Sequence, residues 1–324
     1  MAAAQYDLLI VGAGPGGLAA AIAARALNLR AVVLDAGPRP GGQLLVNDTP
    51  ILDCPGLDVA TGSALAVRLQ RHLERLGGDV RVDARALRLD VDAGVVELAG
   101  ERLLGTAVLL ATGATRRRLG VPGEADVPGR GLSPAARRFG PEFAGRPVVV
   151  VGGGDVALEE AALLSRLCPR VTLVHRGRKL RARPDFRAAI EAEPRIDLHL
   201  ETRLMAILGD PDVEGVVLAG PDGERRIEAA AVVVCAGMAP CSGLVLGQVD
   251  ADDAGFVRVD ARQRTSAPRL YAVGDVCAGA WWTVSAAIGQ AGVAVKDFER
   301  RLAADEFAAL LAPGPTFAPV DWEA

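Results

Sequence analysis

The sequence predicts an α/β fold built from two three-layer units, one inserted into the other. Three observations predict it. A strand, a glycine turn and a helix follow one another at the N-terminus, around Gly12. The same succession recurs in mid-chain, around Gly152. A late strand then ends on Gly274-Asp275, where a chain returning to its first sheet would close it. The 324 residues leave room for roughly two domains of ordinary size.

In the first unit, Asp7 to Val11 reads as a short buried strand that runs into Gly12-Ala-Gly14-Pro15-Gly16-Gly17. An alanine-rich helix from about Leu18 to Leu27 follows, then a strand from Ala31 to Leu34 ending at Asp35. This is G-x-G-x-x-G in its strand–turn–helix setting. Gly12 permits the tight turn, Gly14 lets the backbone approach a pyrophosphate, and Gly17 lets the helix pack on the strand. The helix N-terminus offers free N–H groups and a positive dipole end to the phosphates. A carboxylate at Asp35 binds ribose hydroxyls and repels a 2′-phosphate. The expected ligand of this unit is an unphosphorylated adenosine dinucleotide such as FAD.

The second unit opens with a strand from Val148 to Val151, then Gly152-Gly-Gly154-Asp155-Val156-Ala157, a helix to about Leu167 and a strand from Arg170 to Val174. It is the G-x-G-x-x-A variant in the same setting. Gly12 to Asp35 and Gly152 to His175 are both 23 residues (35 − 12 and 175 − 152), yet the second unit ends its strand on a base. The run His175-Arg176-Gly177-Arg178-Lys179-Leu180-Arg181 predicts a preference for NADPH over NADH, with His175, Arg176 and Arg181 as its ligands.

The return to the first sheet is the strand from Leu270 into Gly274-Asp275-Val276, which sets Asp275 beside the FAD ribityl chain or pyrophosphate. A last helix from about Thr283 to Leu302 would aim its N-terminal dipole at the flavin, where positive potential stabilises charge on the reduced ring.

Composition narrows the classes. A net charge of −4 leaves no excess of positive charge for phosphate neutralisation, so no nucleic-acid partner is expected. No apolar run approaches a membrane span and no leader pattern is visible, which predicts a soluble, cytoplasmic protein. Five cysteines, Cys54, Cys168, Cys235, Cys241 and Cys277, include no C-x-x-C pair, so neither a disulfide framework nor a metal site is expected. His72 and His199 lack metal-ligand spacing and read as structural.

The order of these motifs resembles the low-molecular-weight thioredoxin reductases over nearly the whole chain. The matching segments are Gly12–Gly17, Gly41-Gly42-Gln43-Leu44, Pro55-Gly56, Ala111-Thr112-Gly113-Ala114, Gly152–Ala157, His175-Arg176 and Gly274–Val276. The resemblance implies two Rossmann-like domains: an FAD domain in two segments, residues 1–115 and 239–302, with an NADPH domain, 116–238, inserted between them. A tail, 303–324, follows. It also implies a homodimer, and it adds Gly42, Gln43, Leu44, Ala111, Thr112 and Gly113 to the FAD contacts.

Three departures bear on function. The family's His-Arg-Arg reads His175-Arg176-Gly177, so one phosphate-binding arginine is missing, with Arg178 and Arg181 nearby. The family's dithiol run falls on Ala135-Ala136-Arg137-Arg138-Phe139, where neither cysteine nor aspartate is present. Disulfide exchange needs an attacking thiolate and a resolving thiol. The family's Arg-Gln-Ala at the start of the last helix falls on Trp282-Thr283-Val284, which puts Trp282, beside Trp281, near the expected flavin. Hydride transfer needs no side-chain acid or base, so no catalytic side chain is expected.

From these departures the chain is expected not to be a thioredoxin reductase. It would pass electrons from NADPH through FAD to a ferredoxin, a flavodoxin, a small molecule or oxygen. Arg116–Arg118 with Arg130, Arg137 and Arg138 read first as solvated arginines on a loop and second as a docking patch for an acidic carrier. Phe317 or Trp322 in the tail could stack on the flavin, as in the thioredoxin-reductase-like ferredoxin–NADP reductases, which the chain partly resembles. Two alternatives stand beside this: a sensory or structural flavoprotein that has lost NADPH use, and a disulfide reductase working through Cys54 or Cys277.

Overall fold

A computed structural model of the chain describes residues 5–47, 50–51, 54–124, 132–133 and 140–307. The chain divides into two compact units, Met1–Thr115 with Ala239–Ala324, and Arg116–Met238. Among the described residues its helices are α1 (Pro15–Ala26), α2 (Gly62–Arg75), α3 (Asp155–Leu164), α4 (Pro184–Ala192) and α5 (Val284–Ala303).

In the first unit, Tyr6–Val11 pairs in parallel with Ala31–Leu34 on one side and with Glu101–Leu110 on the other. Asp79–Arg81 extends the sheet beyond Ala31–Leu34, and Leu270–Ala272 lies parallel to the end of Glu101–Leu110. Val95–Leu98 and Arg88–Asp90 add an antiparallel turn to the start of Glu101–Leu110. The chain thus leaves Tyr6–Val11 in one direction and returns on the other. That reversal opens a crevice at the carboxyl end of this strand, and Gly12 follows there.

The period of two along each strand fixes the layers. Leu8, Ile10, Val33, Leu109 and Tyr271 pack with the alanines of α1 and with Ala291, Ala294 and Phe298 of α5. Leu9, Val11, Val32, Leu34, Val108 and Leu110 face Leu89, Val96, Val245 and Val257 on the opposite side. Ala20, Ala21 and Ala24 of α1 are almost fully buried, and their short side chains let the helix lie close to both sheet and α5.

The second unit repeats the plan. Ile196–His199, Val171–Val174, Val148–Val151, Ala231–Val234 and Leu132–Ser133 form a parallel sheet in that order. Val148, Val150, Val171 and Leu173 face α3 and α4, whereas Val149, Val174 and Val232 face a three-stranded antiparallel sheet of Arg203–Leu208, Gly215–Gly220 and Gly223–Glu228. Both units are therefore three-layer and Rossmann-type, as the sequence predicts.

The element ends differ in detail. α1 and α3 begin at Pro15 and Asp155, earlier than Leu18 and Ala157, because Gly14 and Gly154 are extended and serve as N-caps. The last strand stops at Ala272 and passes into a 3-10 turn, Gly274–Val276, because Gly274 takes a left-handed φ of 75°.

Candidate functional site

The first glycine turn is built by close backbone approach. A Cβ on Gly12 would lie 2.4 Å from the Ala111 carbonyl oxygen, and one on Gly17 would lie 1.8 Å from the Gly12 oxygen. Gly16 is tight against Val273, at 3.3 Å. Gly14 alone in this turn has nothing within 4 Å of such an atom. Helix α1 has no side-chain cap at Gly14, and Pro15 occupies its first position without an N–H. The remaining N–H groups of its first turn are thus directed at the open face beside Gly14.

Asp35 closes the turn from the next strand. Its Oδ2 accepts from the Ala13 N–H at 2.6 Å and its Oδ1 from the Gly37 N–H at 2.8 Å. These bonds hold both the glycine turn and the carboxylate. The Gly41 N–H donates to the Ala13 oxygen, and a Cβ on Gly42 would sit 3.0 Å from the Gly14 Cα, so Gly42–Leu44 lies directly on the turn. Leu44 is buried in a separate cluster with Ile51, Cys54 and Leu65.

Gln43 links this segment to the returning strand. Its Nε2 donates to the Ala114 oxygen at 3.0 Å and to Asp275 Oδ2 at 3.2 Å. Burial pushes the Asp275 carboxyl above the ordinary carboxylate range, and the Gln43 bond partly offsets this. Thr112 donates to the Cys241 oxygen at 2.7 Å, and the Cys241 N–H donates to the Gly113 oxygen, which fixes the Ala111–Gly113 loop. Gln290 of α5 accepts from the Gly274 N–H at 2.7 Å, a contact that no sequence spacing signals. Gly12–Gly17, Asp35, Gly42–Leu44, Ala111–Gly113 and Gly274–Val276 therefore converge on one crevice.

Helix α5 starts one residue later than expected, at Val284, with Thr283 as its N-cap. The Thr283 hydroxyl caps it by accepting from the Ala286 N–H. Immediately before, Trp282 holds a left-handed φ of 57° and packs edge-on against Phe256, with ring centroids 5.5 Å apart. Phe256 neighbours Val257, whose N–H donates to the Val276 oxygen. Trp282 is thus tied to the Gly274–Val276 turn. Trp281 is exposed.

The second turn has the same logic with different partners. A Cβ on Gly152 would lie 2.7 Å from Ala157 Cβ and 2.8 Å from the Cys235 oxygen, while Gly154 again has nothing within 4 Å. Ala157 is buried where Gly17 stands in the first unit, and Val156 is exposed. Asp155 begins α3, accepts from the Arg183 N–H at 2.8 Å and pairs with the Arg183 guanidinium. Sequence reading missed Arg183, which lies eight residues past His175 (183 − 175).

His175 is turned inward. Its Nε2 meets the Lys179 oxygen at 3.1 Å, and Cβ atoms on Gly153 and Gly177 would lie 2.3 and 2.9 Å from its ring nitrogens. Burial and the Arg181 and Arg176 charges push its pKa down, the Lys179 contact opposing them, so the ring is neutral at pH 7. It shapes the loop, and the glycine in place of the family's second arginine is the residue that leaves room for it. Arg176, Arg178 and Arg181 remain exposed, and the Arg181 N–H donates to the Gly153 oxygen at 2.7 Å, folding the loop over the glycine turn.

None of the five cysteines is in a disulfide. Cys54 and Cys277 pack in different apolar clusters, and burial pushes the Cys277 thiol up to about 12. Cys235 is likewise pushed to about 12, chiefly by burial. The two thiols of the disulfide-reductase alternative thus belong to separate clusters. Among the described residues no group of histidine, cysteine and carboxylate side chains could hold a metal, and no helix is long and apolar enough to cross a membrane. His199 meets Arg225 through Nδ1 at 2.7 Å. Arg116–Arg118 are exposed, whereas Arg130, Ala135–Phe139, Phe317 and Trp322 lie outside the described residues.

The sequence matches the pyridine nucleotide-disulphide oxidoreductase family over residues 6–291. It is 36% identical over 303 residues to the thioredoxin reductase of Mycolicibacterium smegmatis, covering 92% of this chain and 97% of that one. The thioredoxin reductase of Treponema pallidum is 35% identical over 294 residues, 90% of this chain and 95% of the relative. Among solved structures, the thioredoxin reductase of Lactococcus lactis matches with a TM-score of 0.77 at 28% identity, over 93% of this chain and 100% of that one. That of T. acidophilum matches with a TM-score of 0.74 at 27% identity, over 92% and 99%.

Thioredoxin reductase family proteins use FAD and NADPH, in line with the cofactors read from the two turns. The same relatives correct the expectation that the chain is not a thioredoxin reductase and feeds a ferredoxin, a flavodoxin or a small molecule. Relatives 30–36% identical over 90% or more of the chain bear the name thioredoxin reductase. The expectation gave the five-residue run at Ala135–Phe139 more weight than the similarity of the remaining chain.

Proposed function

The chain belongs to the pyridine nucleotide-disulphide oxidoreductase family, and on that premise we propose that it is an NADPH-dependent FAD oxidoreductase of thioredoxin reductase type. FAD is assigned to the first unit and NADPH to the second. The observation that carries the assignment is the contrast at the two second-strand ends: Asp35, hydrogen-bonded into the first turn, against Arg176, Arg178 and Arg181 exposed beside the second. A basic loop with no acidic residue of its own between His175 and Arg181 suits a 2′-phosphate, and a fixed carboxylate suits ribose hydroxyls.

The residues fit both groups. The open space at Gly14 and at Gly154 is where a pyrophosphate can reach backbone N–H groups, and each lies at an uncapped helix start. When bound, NADPH supplies a hydride and FAD accepts it as a two-electron carrier. The chain's own part is to bind and orient: Gly12–Gly17 and Gly152–Ala157 receive pyrophosphates, Asp35 holds ribose oxygens, and Gln43 with Asp275 lines the far side. Trp282, tied to the Gly274–Val276 turn, is assigned as a further flavin contact. Asp275, held protonated to higher pH than an exposed carboxyl, places an O–H donor there on acidification.

The reading also includes a homodimer, as the resemblance implies, and a cytoplasmic location, as expected from the sequence. The sequence contains no C-x-x-C pair, so the enzyme is inferred to work without a dithiol of that spacing. The relatives' names make a thioredoxin disulfide the first acceptor to assay. Anaerobic titration of the purified protein with NADPH, then with NADH, tests the reductive half. Loss of the oxidised flavin band near about 450 nm at lower NADPH than NADH is expected. No bleaching by either nucleotide would refute the proposal.

A further inference from the structure

The loop that receives the second-strand end carries an acidic residue that motif reading passes over. Glu201 follows Ile196–His199, the strand beside Val171–Val174. Its Oε1 accepts from Arg178 Nε at 2.8 Å, with the Arg178 side chain 85% exposed and that of Glu201 47%. Glu201 takes a left-handed φ of 51°, a conformation that a glutamate rarely adopts. Its N–H donates to the Gly177 oxygen at 3.1 Å, and the next N–H, of Thr202, donates to the His175 oxygen at 3.0 Å. These two bonds pin the Glu201 backbone to the basic loop, so its carboxylate stays within reach of that loop.

Arg178 sits one residue past Gly177, where an added Cβ would crowd the inward His175 ring at 2.9 Å. The loop thus presents Arg178 in place of a side chain at 177, and supplies it with a counter-ion. Arg176 and Arg181 have no carboxylate within 4.0 Å among the described residues.

We propose that Glu201 sets how strongly the second unit discriminates NADPH from NADH, by competing with the ribose 2′-phosphate for Arg178. The inference rests on the assignment of NADPH to this unit. A phosphate approaching Arg178 must displace a carboxylate and remain near its negative charge, whereas a ribose without 2′-phosphate meets neither cost. An exposed ion pair is weak and exchangeable. Glu201 therefore moderates 2′-phosphate binding without abolishing it.

The test uses the full, FAD-loaded chain and calorimetric titration with 2′,5′-ADP and with 5′-AMP. Glu201→Asn keeps a residue that tolerates the left-handed backbone, and Glu201→Gln keeps side-chain length; melting curves verify that each is folded. Either variant is expected to tighten 2′,5′-ADP by about threefold, the scale of an exposed ion pair, with 5′-AMP unchanged. In an Arg178→Gln background the gain should shrink. Variants that leave the ratio of the two affinities unchanged, or that move both nucleotides equally, would overturn the role of Glu201. A wild-type chain that binds 5′-AMP as tightly as 2′,5′-ADP, with Arg181→Gln without effect, would instead overturn the NADPH assignment itself.

Discussion

Gly14 and Gly17 stand three residues apart in one motif, and the structure separates their roles. Gly14 has φ −69° and ψ −176°, which alanine adopts freely, and no atom lies within 4 Å of an added Cβ. Gly14→Ala gains about 0.4–1 kcal/mol by restricting the unfolded chain. It loses about as much because alanine is a poorer N-cap than glycine. The FAD-free variant should therefore melt within a few degrees of the wild type. Its methyl group would occupy the approach of the pyrophosphate, so FAD affinity should fall at least about tenfold, near 1.4 kcal/mol.

Gly17→Ala is the opposite case. Its Cβ would lie 1.8 Å from the Gly12 oxygen, so the backbone must move by more than an ångström (3.0 − 1.8) before any ordinary contact is restored. Overpacking of this kind costs about 1–3 kcal/mol or more, and both the melting temperature and flavin content should drop. The assay is denaturation of FAD-stripped protein together with fluorescence titration of FAD. Gly14→Ala binding FAD within about twofold of the wild type would refute the reasoning.

Further expectations concern groups outside the glycine turns. Asp297 of α5 is nearly buried and accepts both nitrogens of Arg264, at 2.6 and 2.7 Å, and the Tyr271 hydroxyl at 2.9 Å. Burial pushes its carboxyl up, but the Arg264 and Tyr271 bonds and the Arg264 and Arg300 charges outweigh it, so the net shift is downward. Its stabilisation is therefore full above the unfolded carboxyl pKa, about 3.9, and is lost as pH falls below it. Asp297→Asn should cost about 3 kcal/mol at pH 7, with a flatter dependence of melting temperature on pH between 3 and 5; equal slopes would contradict this. Cys235 and Cys277, both held near about 12, should stay protonated at pH 8 and resist alkylation in the native chain. Mass spectrometry showing rapid labelling of either would contradict their raised pKa.

Much of the fold is legible in the sequence because its signals are local. Asp7–Val11 and Val148–Val151 are apolar runs that enter glycine turns, and each turn's spacing to the next strand end is fixed by one helix and one strand. The site residues taken from those turns gather for the same reason. Contacts made by residues far apart in sequence leave no such mark. Gln290 reaches Gly274 across 16 residues, and Glu201 reaches Arg178 across 23, through backbone geometry that only the folded strands create. His175 illustrates a different limit: its position at the strand end was readable, but its inward ring follows from the absence of side chains at Gly153 and Gly177. The function class was misjudged for a third reason, since one short run, Ala135–Phe139, was set against a likeness that extends over residues 6–291.

The central claim is that two separate turns serve two different nucleotides, and Gly154 tests it most directly. Gly154 has φ −101° and ψ 178° and open space around an added Cβ, so Gly154→Ala should fold normally. Anaerobic titration of this variant should show full FAD content, with the NADPH needed to bleach half the flavin raised at least about tenfold. A variant that loses FAD, or one that is reduced by NADPH as readily as the wild type, would contradict the account.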